Sequence, residues 1–186
     1  MFIEIDQAKT RIDYRILDTR YLIMSCTLSE DILRDLVNSR NLTKSHWHWI
    51  TCRQKLSEDF IKEFSDEVDF DWVVAYQDVS EEFIELFQDK INWYQVSSKK
   101  LSNNFIIKFA HKLDWTKVHY KNISEDLIRE VQNFIPSYAW HGVFTEVKRS
   151  REFLKEFYSK IDSIASSWYS KNREDILGLW SEMHGN

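Results

Sequence analysis

The sequence predicts an all-α protein, specifically an α-solenoid of short two-helix repeats. Three observations predict this fold. A nine-residue phrase recurs at a nearly constant period, and each copy carries the capping residues of short helices. The third observation is composition: the 186 residues include only three glycines and one proline, which favours helices joined by tight turns over β-hairpins. A chain of this length can bury a core without metals or disulfides.

The recurring phrase sets the period of the repeat. It reads LSEDFIKEF at Leu56, VSEEFIELF at Val79, LSNNFIIKF at Leu101 and ISEDLIREV at Ile123. These copies start 23, 22 and 22 residues apart, and a fixed period in this range indicates stacked supersecondary units. Degenerate copies flank them: LSEDILRDL at Leu28, with an insertion before WHWI, and RSREFLKEF at Arg149. The pattern predicts about five or six units.

The first half of each copy predicts a short amphipathic helix. In the copy at Leu56, Ser57 occupies the N-cap position and two acids follow it; the hydroxyl accepts a free backbone N–H, and the acids complement the positive end of the helix. Leu56 and Ile61 then have the spacing of a hydrophobic staple. Phe60 and Phe64 lie four residues apart, so they share one helical face.

The second half of each copy predicts another short helix. A capping residue is followed by an aromatic residue in the pairs Asp69-Phe70, Asn92-Trp93 and Asp114-Trp115. Two helices of two turns each are too short to be stable alone. Each unit must therefore bury its apolar columns against its neighbours, as solenoid repeats do. A leucine-rich repeat has a compatible period and is the alternative fold, although its L-x-x-L-x-L-x-x-N signature is missing.

The two ends of the chain do not follow the repeat. Residues 1–27 predict an N-terminal cap, formed by a small β-hairpin or by a first helix. Residues 28–148 form the predicted helical repeat array. Residues 149–186 contain the degenerate last copy and a predicted C-terminal helical cap, and the three parts are expected to form one continuous domain.

The extended phrase L-S-E-[DE]-F-I-x-x-F-x-D-x-[VIL]-[DN]-W-x-x-[VI] resembles short helical repeats found in proteins of bacteriophages and giant DNA viruses. The resemblance is clearest over residues 56–122. It implies a virus-encoded protein that acts inside a host cell on a host factor, such as a defence factor, and it carries over no catalytic residue. Two departures stand out: Asn103-Asn104 replace the acidic pair, and Trp72 sits two places later than the other tryptophans predict.

Cysteine usage and hydropathy indicate a soluble cytoplasmic protein with no membrane role. The chain has only Cys26 and Cys52, each among apolar or aromatic neighbours, which favours free thiols in a reducing compartment. No secretory leader opens the chain, and no apolar run reaches the roughly 20 residues of a membrane helix.

No motif points to catalysis, so the sequence predicts a protein that is not an enzyme and holds no metal or cofactor. His46 and His48 bracket Trp47, and on a helix their side chains diverge by about 200°. No H-E-x-x-H, cysteine pair, P-loop or G-x-S-x-G motif is present. The alternative is an enzyme whose site is built by the irregular ends, around His46, His48 or His141.

The charge pattern is the strongest functional signal. Residues 56–89 contain 12 acids against Lys62 alone, and residues 90–121 contain seven lysines against Asp114 alone. One interpretation is a solvated exterior whose repeats attract each other. The other is a bipolar docking surface that steers a host or viral protein. The sequence therefore predicts a non-enzymatic protein-binding module, a viral inhibitor or adaptor. The residues expected to bind the partner are Glu63, Glu67, Glu85, Lys108, Lys112 and Lys117.

Nucleic-acid binding through residues 90–121 is the alternative function. Aromatic residues that can stack on bases are interleaved with the lysines of this stretch: Trp93, Tyr94, Trp115 and Tyr120. Two arguments oppose it, because the tryptophans fall in the periodic core positions and the neighbouring acidic repeat repels phosphates.

Overall fold

The computed structural model describes residues 2–5, 10–162 and 172–184. These residues are predominantly helical, which confirms the all-α prediction. The chain divides into two compact units, residues 1–92 and 93–186. The three-part division at residues 27 and 148 follows the repeat pattern and stays a prediction.

The first unit begins with two short strands and a helix. Strand β1 (Phe2–Ile5) pairs antiparallel with β2 (Thr10–Asp13), with Phe2 opposite Asp13 and Ile5 opposite Thr10. A 3-10 turn over Tyr14–Ile16 leads to α1 (Thr19–Ser25). Both alternatives predicted for the N-terminal segment, the strand pair and the helix, are therefore present.

Five further helices complete the first unit: α2 (Glu30–Ser39), α3 (Lys44–Arg53), α4 (Glu58–Glu63), α5 (Phe70–Tyr76) and α6 (Glu81–Leu86). The even-numbered helices are the first helices of their copies, and α3 and α5 are the second helices. Helix α1 packs against α3, and α3 packs against α5. The second helices α3 and α5 are therefore direct neighbours.

Over the residues that the structure describes, the second unit has seven α-helices: α7 (Trp93–Ser97), α8 (Asn103–Phe109), α9 (Glu125–Val131), α10 (Trp140–Thr145), α11 (Arg151–Glu156), α12 (Tyr158–Asp162) and α13 (Arg173–His184). Three 3-10 helices lie between them, at Tyr120–Asn122, Gln132–Phe134 and Ser137–Ala139. The predicted helical C-terminal segment is helical over α12 and α13, and residues 163–171 lie outside the described residues.

The predicted serine caps are confirmed in both units. The hydroxyl of Ser57 accepts the N–H of Phe60 at 3.1 Å, and that of Ser80 accepts the N–H of Phe83 at 3.1 Å. The same bond forms at Ser29, Ser102, Ser124 and Ser150. The sequence phrase thus marks the start of each first helix.

Aromatic side chains form the repeating core. In four copies, two phenylalanines at the first helix meet at a centroid distance of 4.7 Å, as in Phe60 with Phe64. An aromatic ring from the preceding second helix joins them: Trp47 lies 5.4 Å from Phe64, and Phe70 lies 4.9 Å from Phe87. Phe70 therefore fills the buried position that tryptophans hold in other copies, which explains why Trp72 is out of register with those tryptophans.

One predicted second helix does not form. After Asp114 the chain makes a turn at residues 115–117 in place of an α-helix. The Asp114 carboxylate accepts the backbone N–H of Thr116 at 2.9 Å and its hydroxyl at 2.6 Å. This local bonding competes with helical hydrogen bonds. The Tyr120 hydroxyl donates to the Trp115 carbonyl at 2.8 Å, which fixes the turn against the core.

Among the described residues, every helix is too short or too polar to cross a membrane.

Candidate functional site

Buried amide side chains join successive copies in the first unit. The oxygen of Gln54 accepts the N–H of Leu28 at 2.9 Å, and its nitrogen donates to the carbonyls of Ile23 and Cys26 at 2.7 and 2.8 Å. Gln77 repeats this geometry one copy later, with Leu56 as donor. Both glutamines lie just after a second helix. Each side chain therefore supplies hydrogen-bond partners to backbone N–H and C=O groups that helical hydrogen bonds leave unpaired.

The second unit uses the same device with different side chains. Asn172 accepts the N–H of Arg149 at 2.7 Å and donates to the carbonyls of Phe144 and Val147 at 2.6 and 3.0 Å. The Arg149 guanidinium is itself buried and donates to three backbone carbonyls. Burial lowers the pKa of this guanidinium.

In three copies the first acid of the phrase also bridges to the next copy. The Glu30 carboxylate accepts the N–H of Ser57 at 2.5 Å, and Glu58 accepts that of Ser80 at 2.6 Å. Glu125 accepts the N–H of Ser150 in the same way in the second unit. The serine-acid pair of the phrase is therefore a connection between neighbouring copies as well as a helix start.

Ion pairs between copies neutralise part of the acidic stretch. Glu63 lies 2.8 Å from the Arg34 guanidinium, which also sits 5.3 Å from the Phe60 ring centre. Asp66 lies 3.0 Å from the Lys90 ammonium. Arg129, Glu156 and Phe153 repeat the arrangement of Arg34 in the second unit. Glu63, predicted to bind a partner, thus has an intramolecular cation.

Of the predicted acidic residues, Glu63 and Glu67 share a cleft and Glu85 lies elsewhere. Glu63 and Glu67 line one open cleft of about 420 Å³, whose lining also includes Trp47 and Phe64. The cleft lies beside residues 37–42, where the insertion predicted in the first copy lengthens α2. Glu85 lies on α6 and does not line this cleft.

The predicted basic residues each sit over an aromatic ring of the second unit. The Lys108 ammonium lies 5.6 Å from the Phe109 ring centre, and that of Lys112 lies 5.5 Å from Trp93. Lys117 lies 4.5 Å from the Tyr94 ring centre, and its hydrogen bond to Tyr94 raises the pKa of its ammonium. The three lysines thus lie over core and surface aromatics of this stretch.

The aromatics of this stretch are mostly unavailable for stacking on bases. Trp115 and Tyr120 are buried, and Trp93 is half-buried against Phe105 and Phe109. Tyr94 alone of the four is exposed. Of the four aromatic side chains that nucleic-acid binding would use for stacking on bases, the fold therefore exposes one.

Four carboxylates in the acidic stretch lack a cation. Among the described residues, no basic group pairs with Glu67, Asp71, Asp78 or Glu82. Glu67, Asp71 and Asp78 belong to the copy at Leu56, and Glu82 lies in the first turn of α6. They form the part of the acidic surface that the fold itself does not neutralise.

Exposed aromatics on the second helices were missed by the sequence argument. Tyr21 on α1, Trp72 on α5 and Tyr76 on α5 expose 45%, 37% and 55% of their surface, and Trp49 on α3 is half-exposed. The displaced position of Trp72 within its copy was the sequence feature that could have indicated this exposure. We call Tyr21, Trp49, Trp72 and Tyr76 the aromatic column.

A histidine and a cysteine meet beside this column. His48 Nδ1 lies 2.8 Å from the Asp69 carboxylate, and His48 Nε2 lies 3.9 Å from Cys52 Sγ. Burial, with a smaller effect of the Asp69 charge, raises the pKa of the Cys52 thiol. A thiol kept protonated at neutral pH is a poor nucleophile, so this cluster has no activated cysteine.

His46 has a structural position. Its Nδ1 accepts the N–H of Thr43 at 3.1 Å, at the start of α3. Within residues 2–5, 10–162 and 172–184, no group of three or more His, Cys, Asp and Glu side chains is placed to hold a metal ion. Cys26 and Cys52 are free thiols.

Comparisons with protein-family models, curated proteins and solved structures find no match to this chain.

Proposed function

We propose that this protein is a non-enzymatic protein-binding module whose acidic first unit docks on a basic surface of a partner protein. The observation that carries the proposal is the set of four carboxylates, Glu67, Asp71, Asp78 and Glu82, for which the described residues supply no cation. Neighbouring acids are paired within the fold, as Glu63 is with Arg34.

The overall charge of the first unit supports a cationic partner. Residues 1–92 contain 11 Lys and Arg against 19 Asp and Glu, a formal net charge of -8. A surface of one sign speeds association with a surface of the opposite sign and fixes its register. Leaving exposed acids unpaired costs little stability. Because no cation of the fold neutralises them, their electrostatic field acts on an approaching partner.

The proposal includes an α-solenoid architecture with caps at its ends. Amide bridges at Gln54 and Gln77 repeat in the first unit, and Asn172 repeats them in the second. Such bridges between successive copies are what a stacked array requires, since each copy contacts its neighbours. Extended arrays present many side chains to a partner without a deep pocket.

The resemblance to phage and giant-virus repeats extends the proposal to a biological role. On this basis the protein is a viral inhibitor or adaptor that acts on a host protein, such as a defence factor, in the host cytoplasm.

Affinity capture with matched charge variants tests the docking surface. The tagged wild-type protein is incubated with host-cell lysate, and nuclease-treated eluates are identified by mass spectrometry. The double variant Glu67→Lys, Asp78→Lys reverses two unpaired acids of the first unit. The control, Glu130→Lys with Glu152→Lys, makes the same charge change at exposed positions of the second unit.

We expect a stoichiometric protein partner whose capture falls at least about tenfold with the first variant and persists with the control. Circular dichroism verifies that both variants fold. Equal capture by both variants, or retention of nucleic acid alone, would overturn the proposed acidic docking surface.

A further inference from the structure

The aromatic column follows the repeat. Tyr21, Trp49 and Trp72 each stand five residues before the C-cap residue of their helix, which is Cys26, Gln54 or Gln77. They are 28 and 23 residues apart, the same spacings that separate the copies at Leu28, Leu56 and Val79. Tyr94 follows Trp72 by 22 residues and is also exposed.

The core does not need these side chains. The same helices bury other residues, with Trp47 and Ile50 on α3 and Phe70, Val73 and Val74 on α5. An exposed aromatic residue repeated at one position along several helices forms a patch of the kind that marks a binding surface.

Three rings of the column, those of Trp49, Trp72 and Tyr76, are linked through His48. The His48 ring meets Trp49 edge-on at 5.2 Å and Trp72 edge-on at 5.9 Å. The Trp72 ring lies 5.7 Å from that of Tyr76. Since Asp69 holds His48 through Nδ1, these contacts give the surface a fixed shape.

The charges around the column favour a cation. Asp71 and Asp78 flank Trp72 and Tyr76 in the chain, and neither has a cation among the described residues. The Arg53 guanidinium lies 5.7 Å from the Trp49 ring centre, so one member of the column already holds a guanidinium of this chain. Trp72 and Tyr76 have no such cation within the described part of the protein.

We propose that Trp72 and Tyr76, with Asp71 and Asp78, bind an arginine side chain on an exposed segment of the partner protein. This inference rests on the proposed function and names the chemistry that the partner presents. A planar guanidinium stacks on an aromatic face and donates paired hydrogen bonds to a carboxylate, whereas an ammonium is a point charge.

The fold contains an internal example of this recognition. The Arg34 guanidinium lies 5.3 Å from the Phe60 ring centre and 2.8 Å from the Glu63 carboxylate. Arg129 does the same with Phe153 and Glu156. A ring and a carboxylate together thus bind arginine twice within this chain, and Trp72 with Asp71 and Asp78 offers the same groups to a partner. A polyanion is disfavoured here by the formal charge of -8.

Fluorescence polarisation with synthetic peptides tests the inference. The probe is a labelled GRGRGRG peptide with blocked termini, compared with GKGKGKG, with GQGQGQG and with a labelled single-stranded oligonucleotide. The variants are Trp72→Ala and Asp71→Asn. Matched controls are Leu86→Ala, which removes another exposed apolar side chain of the first unit, and Glu130→Gln, which removes an exposed carboxylate of the second unit.

We expect the arginine peptide to bind more tightly than the lysine peptide, and the glutamine peptide not to bind. Trp72→Ala should weaken binding about tenfold and Asp71→Asn by a smaller factor, while Leu86→Ala and Glu130→Gln change it less than twofold. No binding of the arginine peptide, equal binding to Trp72→Ala, or oligonucleotide binding that depends on Trp72 would each overturn the inference.

The two proposals fail separately. If the captured partner binds Trp72→Ala as well as wild type, the arginine site is wrong while the protein-binding function stands. If no partner is captured but the arginine peptide binds through Trp72, the site stands and the acidic docking function is wrong.

Discussion

Replacing Gln77 with methionine tests the amide bridges that connect the copies. Methionine has a similar volume and no amide, so the substitution removes hydrogen bonds without opening a large cavity. The Gln77 side chain is 5% exposed. It accepts the Leu56 N–H at 2.9 Å and donates to the carbonyls of Thr51 and Gln54 at 2.6 and 2.9 Å.

The expected loss follows from these three bonds. Each contributes about 1 kcal/mol net, and a partner left buried and unpaired costs about 1–3 kcal/mol. Gln77→Met should therefore lower the free energy of unfolding by roughly 3 to 5 kcal/mol. Gln54→Met, which removes the equivalent bridge one copy earlier, should have an effect of similar size.

Urea unfolding followed by circular dichroism measures the free energy, and hydrogen exchange of the Leu56 amide reports the bridge itself. That amide should exchange at least about a hundredfold faster in Gln77→Met, in line with a loss near 3 kcal/mol. The control is Gln95→Met, since Gln95 is half-buried and its side chain makes no hydrogen bond within the described residues. A loss below about 1 kcal/mol with the Leu56 amide still protected would refute the reasoning.

Three further predictions concern the core and its charges. Gly142→Ala should lower the free energy of unfolding by about 1–3 kcal/mol, because the new Cβ would lie 2.7 Å from the buried Tyr120 ring. In the control, Gly178→Ala, the new Cβ meets only an ordinary contact of 3.7 Å, so this variant should be neutral or stabilising in thermal unfolding. Burial, with nearby Glu146 and Asp114, raises the pKa of the Tyr120 phenol. As pH rises, the phenol therefore ionises first in the unfolded state, and the free energy of unfolding should fall above the ordinary pKa of 10.0. Tyr120→Phe should lose this alkaline dependence. Burial opposes ionisation of Glu58, but hydrogen bonds from Ser80 and the charge of Lys62 outweigh it and lower the pKa. Its stabilisation should be present above pH 4.5 and lost progressively as pH falls below that value, so Glu58→Ala should cost about 1 kcal/mol at neutral pH and progressively less in acid, as measured by urea unfolding.

The repeat phrase was enough to predict helical structure and its caps. The serine N-caps and the Phe60-Phe64 contact depend on residues three or four apart, and such local rules are legible in a sequence. The failed second helix after Asp114 shows the limit of this reasoning. There the side-chain bonds of Asp114 and the burial of Tyr120 outweighed the pattern.

The candidate site was only partly predictable. The composition showed the acidic stretch that contains Glu67. It did not show which acids of that stretch pair with a cation and which do not. Glu63 and Glu67 are four residues apart in the sequence, yet only Glu63 meets an arginine, from α2. Such pairing depends on which copies are neighbours and how their helices align, which a charge count does not contain.

By itself, the sequence determined the short helices, their starting serines and the aromatic residues that recur between them, because these depend on contacts within one or two helical turns. The tertiary structure decided which aromatics face outward and which acids lack a cation. Phe70 and Trp72 differ by two positions on one helix, and packing against Phe87 buries the first while Trp72 stays exposed. Contacts between copies make that choice, because burial is a property of the packed neighbours and not of the residue alone.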